Sequence, residues 1–353
     1  MNILIVKLSA LGDVTHVLPA LTVLRRARPD AHITWLVEES ARELIEGHPA
    51  IDSLLVWRRA TWKGLLRSGR WPTLATAVTR FVRELRRTRY DLVIDFQGLL
   101  KSALWVALAR AGIKAGYGPG QRHDEHAWHA LNRRIPVTLP DAHAVERNLN
   151  LVHALGFPRL PLTFDLPIAP ARQEEADALL DGLGLKAGTR FVAVSAMTRW
   201  PTKNWTAAHF AEVSDRLVDA GVPVVFTGAP GDRLEIDAIA AATRHPLRRL
   251  DGKTALPTLA GIFRRATTVL STDTGPMHIA VAAGTPVVAL FGPTSADYTG
   301  PYGEDHIVLR AGLGCSPCYQ RTCRTTEYEP HACMRRLAPE QVAAAVLQRL
   351  GDR

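Results

Sequence analysis

Met1-Asn-Ile-Leu-Ile-Val-Lys-Leu-Ser-Ala-Leu-Gly-Asp13 decides the fold class. Its apolar run is too short for the core of a signal peptide plus a cleavage site. It reads instead as a buried strand, Ile3–Val6, entering a turn of small and polar residues. A helical stretch, Val14–Arg28, follows at once. Strand candidates recur at Ile33–Val37, Leu54–Val56 and Leu92–Ile94, separated by helix candidates such as Leu74–Arg87 and Lys101–Ala111. Alternation of short apolar runs with amphipathic helices is the signature of βαβ units and a parallel sheet, so the class is α/β.

The pattern weakens over Gly116–Pro140 and stops in the proline-rich passage Phe157–Pro170. Repeated prolines deny the backbone both helix and central-strand hydrogen bonds, so this passage reads as an interdomain linker. Beyond it, strands Phe191–Val194, Val222–Phe226, Thr268–Leu270 and Val287–Leu290 alternate with helices Trp205–Ala220, Leu234–Thr243, Leu256–Arg265 and Pro276–Ala283. The 353 residues exceed the roughly 250 to 300 at which a single core stops growing. Two similar α/β domains facing a cleft are therefore expected, over residues 1–165 and 171–335, with a last helix, 339–350, packing back on the first.

With 47% hydrophobic and 22% charged residues, the chain has a globular composition, which excludes a disordered or collagen-like protein. Its formal charge of +9 points to an anionic partner: nucleic acid, phosphorylated metabolites or an acidic membrane surface. The excess is uneven. Residues 1–170 hold 23 Lys/Arg against 15 Asp/Glu, and residues 58–89 hold ten basic residues against Glu84 alone. Trp57, Trp62 and Trp71 stand among those arginines, where they suit either a membrane interface or core packing. No stretch approaches the ~20 apolar residues of a membrane span. A cytoplasmic protein is expected, peripheral on a membrane at most.

Ligands of doubly wound sheets collect beyond the carboxyl ends of the strands, so the turns there are where chemistry is sought. The first turn places Asp13 at such a position, either as a base or as a helix N-cap. G-x-G-x-x-G is absent, and with it the usual dinucleotide fingerprint. Ser271-Thr-Asp-Thr-Gly-Pro-Met-His278 follows a strand and places Asp273, Thr274 and Gly275 at a helix start, whose unbonded N–H groups and positive dipole end suit a pyrophosphate. Ala196-Met-Thr-Arg-Trp-Pro-Thr-Lys-Asn-Trp205 supplies Thr198 and Lys203 as a hydroxyl and a point charge for phosphate, or a solvated loop with a packed Trp205. Thr227-Gly-Ala-Pro-Gly-Asp232 ends in a carboxylate placed to cap a helix or to meet a sugar hydroxyl.

Taken in order, these turns resemble glycosyltransferase family 9, the inverting bacterial heptosyltransferases. In the first half the likeness rests on Val6–Ala20, Trp35–Glu39, Tyr90–Ser102 and His143–Arg147. In the second it rests on Thr198–Trp205, Gly228–Pro230, Asp273–His278 and Phe291–Thr294. The resemblance implies a GT-B fold of two Rossmann-like domains, the first for the acceptor and the second for the nucleotide sugar, with no catalytic metal and no required cofactor. It implies ADP-L-glycero-D-manno-heptose as donor and the Kdo region of lipid A as acceptor, at the cytoplasmic face of the inner membrane. Nucleic acid is then not expected as a partner.

Carried across residue by residue, Asp13 resembles the family's general base. Lys203, Thr198, Asp232, Asp273, Thr274, Gly275 and His278 match donor positions, with Lys203 also stabilising the leaving nucleotide. Lys7, Arg58, Arg59, Lys63, Arg122, His143 and Arg147 match acceptor positions. The tail departs from some family members in carrying Cys315, Cys318, Cys323 and Cys333 within nineteen residues. The spacing admits a structural zinc site or simply reduced thiols. Another GT-B enzyme using a different nucleotide sugar, an epimerase, or a non-catalytic lipopolysaccharide-binding protein are the competing readings.

Overall fold

A computed structural model describes residues 1–121 and 125–351. The chain divides into two compact units, Met1–Pro167 and Ile168–Arg353, within the proline-rich passage. In the first unit, strands β1 (Asn2–Val6), β2 (His32–Glu38), β3 (Ser53–Trp57), β4 (Arg89–Asp95), β5 (Arg110–Tyr117) and β6 (Arg133–Ile135) form one sheet in the order 3-2-1-4-5-6. In the second, β7 (Val192–Ser195), β8 (Val224–Thr227), β9 (Arg248–Arg249), β10 (Thr268–Thr272), β11 (Val287–Phe291) and β12 (Ile307–Arg310) run 12-11-10-7-8-9. Numbered within its own unit, that order is also 3-2-1-4-5-6. Every pairing in both sheets is parallel.

This is the doubly wound order whose reversal at the central strands opens a crevice beyond the strand carboxyl ends. In one unit the reversal lies between β1 and β4, in the other between β7 and β10. The central strands are apolar because helices cover both faces. Ile3, Leu4, Ile5 and Val6 are wholly buried, as are Val287 to Phe291.

Several expected elements are redrawn. Val14–Arg28 is two helices, Leu11–Thr15 and Leu18–Ala27, with Pro19 in the first turn of the second. Proline lacks the N–H and crowds the carbonyl four residues back, so a single helix through it is disfavoured. The helix from Leu100 stops at Leu108, and Arg110–Tyr117 is a strand. The last helix, Pro339–Gly351, falls in the second unit. Its apolar stripe, Val342, Val346 and Leu350, enters the core of the second unit against the helix Ala207–Asp219. Glu340 also pairs with Arg216 of that helix at 2.5 Å.

Candidate functional site

In the first unit the polar groups gather where β1 ends. Asp13 lies in the first turn of the helix Leu11–Thr15, not at its N-cap, and one carboxylate oxygen accepts from the Ala10 N–H at 3.0 Å. Its other oxygen has no hydrogen bond among the described residues. Lys7 is buried, its ammonium donating to the Phe96 carbonyl at 3.0 Å. Burial lowers its pKa below the ordinary lysine value, against the opposing pull of Asp13 and Asp95. Arg147 stands within electrostatic reach of the same ammonium.

His143 caps the helix Ala144–Ala154, its Nδ1 accepting from the Val145 N–H at 3.2 Å, and its ring meets His16 edge to face at 5.3 Å. Lys7, Asp13, His143 and Arg147 are thus brought to one end of the sheet. Arg59 reaches the same end through Glu38, which pairs with Arg59 at 3.6 Å and with Lys101 at 3.1 Å. Lys101 also donates to the Ser9 hydroxyl at 2.5 Å.

Sequence reasoning overlooked three residues that shape this turn. Gln97 accepts from the N–H groups of both Leu8 and Ser9, at 3.1 and 3.2 Å. Glu38 and Lys101 hold Ser9 and Arg59. All three fall inside strings that carried the family resemblance, which was the signal available. Asp95 is buried beneath them, accepting from Gln97 N–H, Gly98 N–H and the Ser102 hydroxyl at 2.9, 3.1 and 2.9 Å. Burial raises its pKa despite those bonds.

Other acceptor candidates are not drawn in by any described bond. Arg58 is exposed at the start of the helix Arg59–Arg67, and Lys63 is exposed on it. Arg122 lies outside the described residues. The aromatic residues of this region divide. Trp57 and Trp62 both pack edge to face against Trp105, and Trp62 also against Phe81, whereas Trp71 is 61% exposed.

In the second unit the expected donor residues converge more tightly. Lys203 ends the short turn Pro201–Lys203, and its ammonium pairs with Asp273 at 2.6 Å. The same Asp273 oxygen accepts from the Thr294 hydroxyl at 2.5 Å. The Lys203 ammonium also lies 4.4 Å from the centroid of the Trp200 ring. Thr274 is the N-cap of Gly275–Ala282, and its side chain makes no capping bond, which leaves the first-turn amides at the sheet's carboxyl edge. His278 is buried one turn further on.

Thr198 and Asp232 are used locally. The Thr198 hydroxyl accepts from the Trp200 N–H at 3.2 Å, and Asp232 accepts from the Ala229 N–H at 2.8 Å. Gly228 packs closely beside it: a Cβ there would sit 2.8 Å from the Ile236 Cδ1 and 3.3 Å from the Asp232 side chain.

All four cysteines are free thiols. Burial first, and then the neighbouring thiols Cys318, Cys315 and Cys323, push the Cys333 pKa up to about 11. Among the described residues no group of three or more His, Cys, Asp or Glu side chains is arranged to hold a metal ion, so the zinc alternative finds no assembled ligand set.

Comparison with known proteins bears on the family and the fold. Residues 78–329 match the family described as glycosyltransferase family 9 (heptosyltransferase). Lipopolysaccharide heptosyltransferase 1 of Pseudomonas aeruginosa is 33% identical, over 97% of this chain and 96% of that protein. The structure of Escherichia coli heptosyltransferase WaaC with ADP superposes with a TM-score of 0.79 at 27% identity, covering 99% of this chain and 100% of that one. The same enzyme with ADP-2-deoxy-2-fluoro heptose gives 0.77 at 27% identity, with 99% of each chain covered. The molecule is a glycosyltransferase with the α/β architecture of the GT-B fold. More narrowly, the chain belongs to glycosyltransferase family 9, the heptosyltransferases.

Proposed function

We propose that this enzyme transfers heptose from ADP-L-glycero-D-manno-heptose to Kdo of the lipid A inner core, with inversion at the anomeric carbon. The observation that carries the reading is the near full-length similarity to a lipopolysaccharide heptosyltransferase 1. The ADP and ADP-heptose analogue bound by the E. coli relative support the donor.

Asp13 takes the proton of the attacking acceptor hydroxyl. A base needs one unoccupied oxygen in a fixed orientation, and the Ala10 N–H holds one oxygen while the other has no described partner. Lys7, His143 and Arg147, with Arg59 behind them, bind the acidic acceptor, Arg58 and Lys63 extend that basic surface, and Arg122 is carried as an acceptor contact on the family resemblance alone. On the donor side, Lys203 and the amides at Thr274 and Gly275 meet the diphosphate and stabilise charge as ADP leaves. Asp273 orients Lys203, while Thr198, Asp232 and His278 shape the surrounding turns.

The chemistry needs no metal in this scheme, since a lysine and helix-start amides supply the positive field. Among the described residues no helix is long and apolar enough to cross a membrane. The basic helices Arg59–Arg67 and Trp71–Arg87, with exposed Leu66 and Trp71, support peripheral contact with the anionic inner face of the inner membrane.

The test is incubation with ADP-heptose and Kdo₂-lipid A, following ADP release and the mass of the glycolipid. Equal or better turnover with UDP- or GDP-sugars would overturn the donor, and binding of the acceptor without turnover would overturn the reaction.

A further inference from the structure

The segment Cys315–Arg321 has no helix or strand of its own, yet it is fastened to both turns that reach Asp273. On one side the Tyr319 N–H donates to the Pro293 carbonyl at 2.7 Å, and the Ser316 hydroxyl donates to the Gly292 carbonyl. Cys333 and Met334 close over the same turn: a Cβ at Gly292 would lie 2.6 Å from the Met334 sulfur and 3.0 Å from that of Cys333. This is the turn that carries Thr294.

On the other side the Gln320 carbonyl accepts two bonds, from the Trp200 indole N–H at 3.2 Å and from the buried Thr202 hydroxyl at 2.7 Å. The Arg321 guanidinium lies 5.3 Å from the centroid of the Trp200 ring. That ring also bears the Lys203 ammonium, and Lys203 and Thr294 meet on one oxygen of Asp273. A carbonyl that receives both an indole N–H and the hydroxyl two residues on fixes the plane of that indole and the path of the turn together. The segment therefore joins both arms of the Lys203–Asp273–Thr294 cluster.

We infer that residues 315–321 act as a strap that sets the donor site, with Gln320 and Arg321 as positioning residues. They hold the Trp200 ring, and through it the Lys203 ammonium, where the diphosphate of a nucleotide sugar is bound. The inference rests on the donor-site reading above. Arg321 acts through Trp200 and Lys203, so its loss alters donor binding and leaves acceptor binding alone. It is exposed, and replacing it leaves the core intact.

The experiment uses the full-length enzyme as R321A, R321K, W200F and T202V, with K203A alongside. It records kcat, the two KM values and Tm. R321A raises the donor KM about 3- to 20-fold, as expected for losing a cation beside an aromatic ring, and leaves the acceptor KM within about twofold. R321K restores most of the loss. W200F keeps the ring but removes the indole donor, T202V removes the hydroxyl, and each raises the donor KM about 2- to 10-fold. Combined, R321A and W200F cost less than the product of their separate effects, because both act on one indole.

An unchanged donor KM in R321A while K203A raises it overturns the strap and spares the donor site. A parallel rise of both KM values with a fall in Tm that R321K does not repair overturns it too, in favour of a purely structural segment. If K203A leaves the donor KM unchanged, the donor-site reading fails and the strap falls with it.

Discussion

The carboxyl ends of β1 and β10 make an instructive pair. Both are central strands of sheets with the same order, and a lysine and a carboxylate lie at each end, Lys203 coming from the turn that follows the neighbouring β7. Their chemistry diverges through the neighbours. At β10, Asp273 is locked by Lys203 and Thr294 on a single oxygen, so its charge is spent on orientation. At β1, Lys7 turns to a backbone carbonyl, and among the described residues Asp13 accepts a hydrogen bond from the Ala10 N–H alone. Under the proposed reaction, the same frame would keep one carboxylate available to take a proton and commit the other to holding a cation. The role of an acidic residue at a strand end is set by what else reaches it, and the sheet order alone does not assign it.

The largest effect that can break this contrast is at Asp13. Asp13→Asn preserves the bond from Ala10 but removes the base, and kcat is expected to fall about 10²- to 10⁴-fold, with both KM values nearly unchanged. Single-turnover product formation checks this, and an Asn variant with full activity would place the base elsewhere.

Asp273 sharpens the contrast from the other side. Asp273→Ala leaves Lys203, 12% exposed, beside an emptied position. Breaking one partner of such a nearly buried pair costs about 3–5 kcal/mol, read as a lower denaturation midpoint. Asp13→Ala, in contrast, should cost about 1 kcal/mol, since only one backbone bond is lost. Equal losses in the two variants would erase the distinction between locked and available carboxylates.

Lys7 tests the desolvated side by pH. Its folded pKa is lowered, so the folded state binds the proton less tightly than the unfolded chain. The cost of its buried charge is fully present below the folded value and is relieved as pH rises toward the ordinary lysine value. Wild-type Tm minus Lys7→Met Tm should therefore increase with pH across that window. A constant difference would mean that folding does not change the proton affinity at that position. The smallest expected effect concerns the thiols of the second unit. Cys333, half-buried with its pKa near 11, should alkylate slowest at neutral pH, and exposed Cys318 fastest, as peptide mass mapping over time can establish.

Much of the fold was legible because parallel strands buried on both faces are continuous apolar runs, as in Ile3–Val6 and Val287–Leu290. The strands far from the centre were not. Arg110-Ala-Gly-Ile-Lys-Ala-Gly-Tyr117, one place in from an edge, and the edge strand Arg248–Arg249 carry no such run, and they are strands because a neighbour supplies the hydrogen-bond ladder. Pro19 was a visible break that the helical periodicity concealed. The neighbours of the last helix were hidden for a related reason: an apolar stripe such as Val342, Val346 and Leu350 states that it must be buried but not against what.

The candidate site follows the same division. Residues in turns after predicted strands, Asp13, Lys203 and Asp273, could be picked out because strand ends are where doubly wound sheets place polar groups. Their family roles came from the resemblance. Glu38, Gln97 and Lys101 escaped, because their part is to hold one turn from two other strands, and sequence spacing does not measure that distance.

By itself, the sequence determined the α/β alternation, the division at a proline-rich passage, the basic first half and the family. These follow from local periodicity, backbone chemistry and composition, each readable within a short window. Only the tertiary structure decided which carboxylate is locked and which is available, where the last helix lies, and that a cysteine-bearing segment is bonded to the Trp200 turn. Those depend on contacts such as Lys203–Asp273, 70 positions apart, and Trp200–Gln320, 120 apart, whose energies exist only once the sheet has formed.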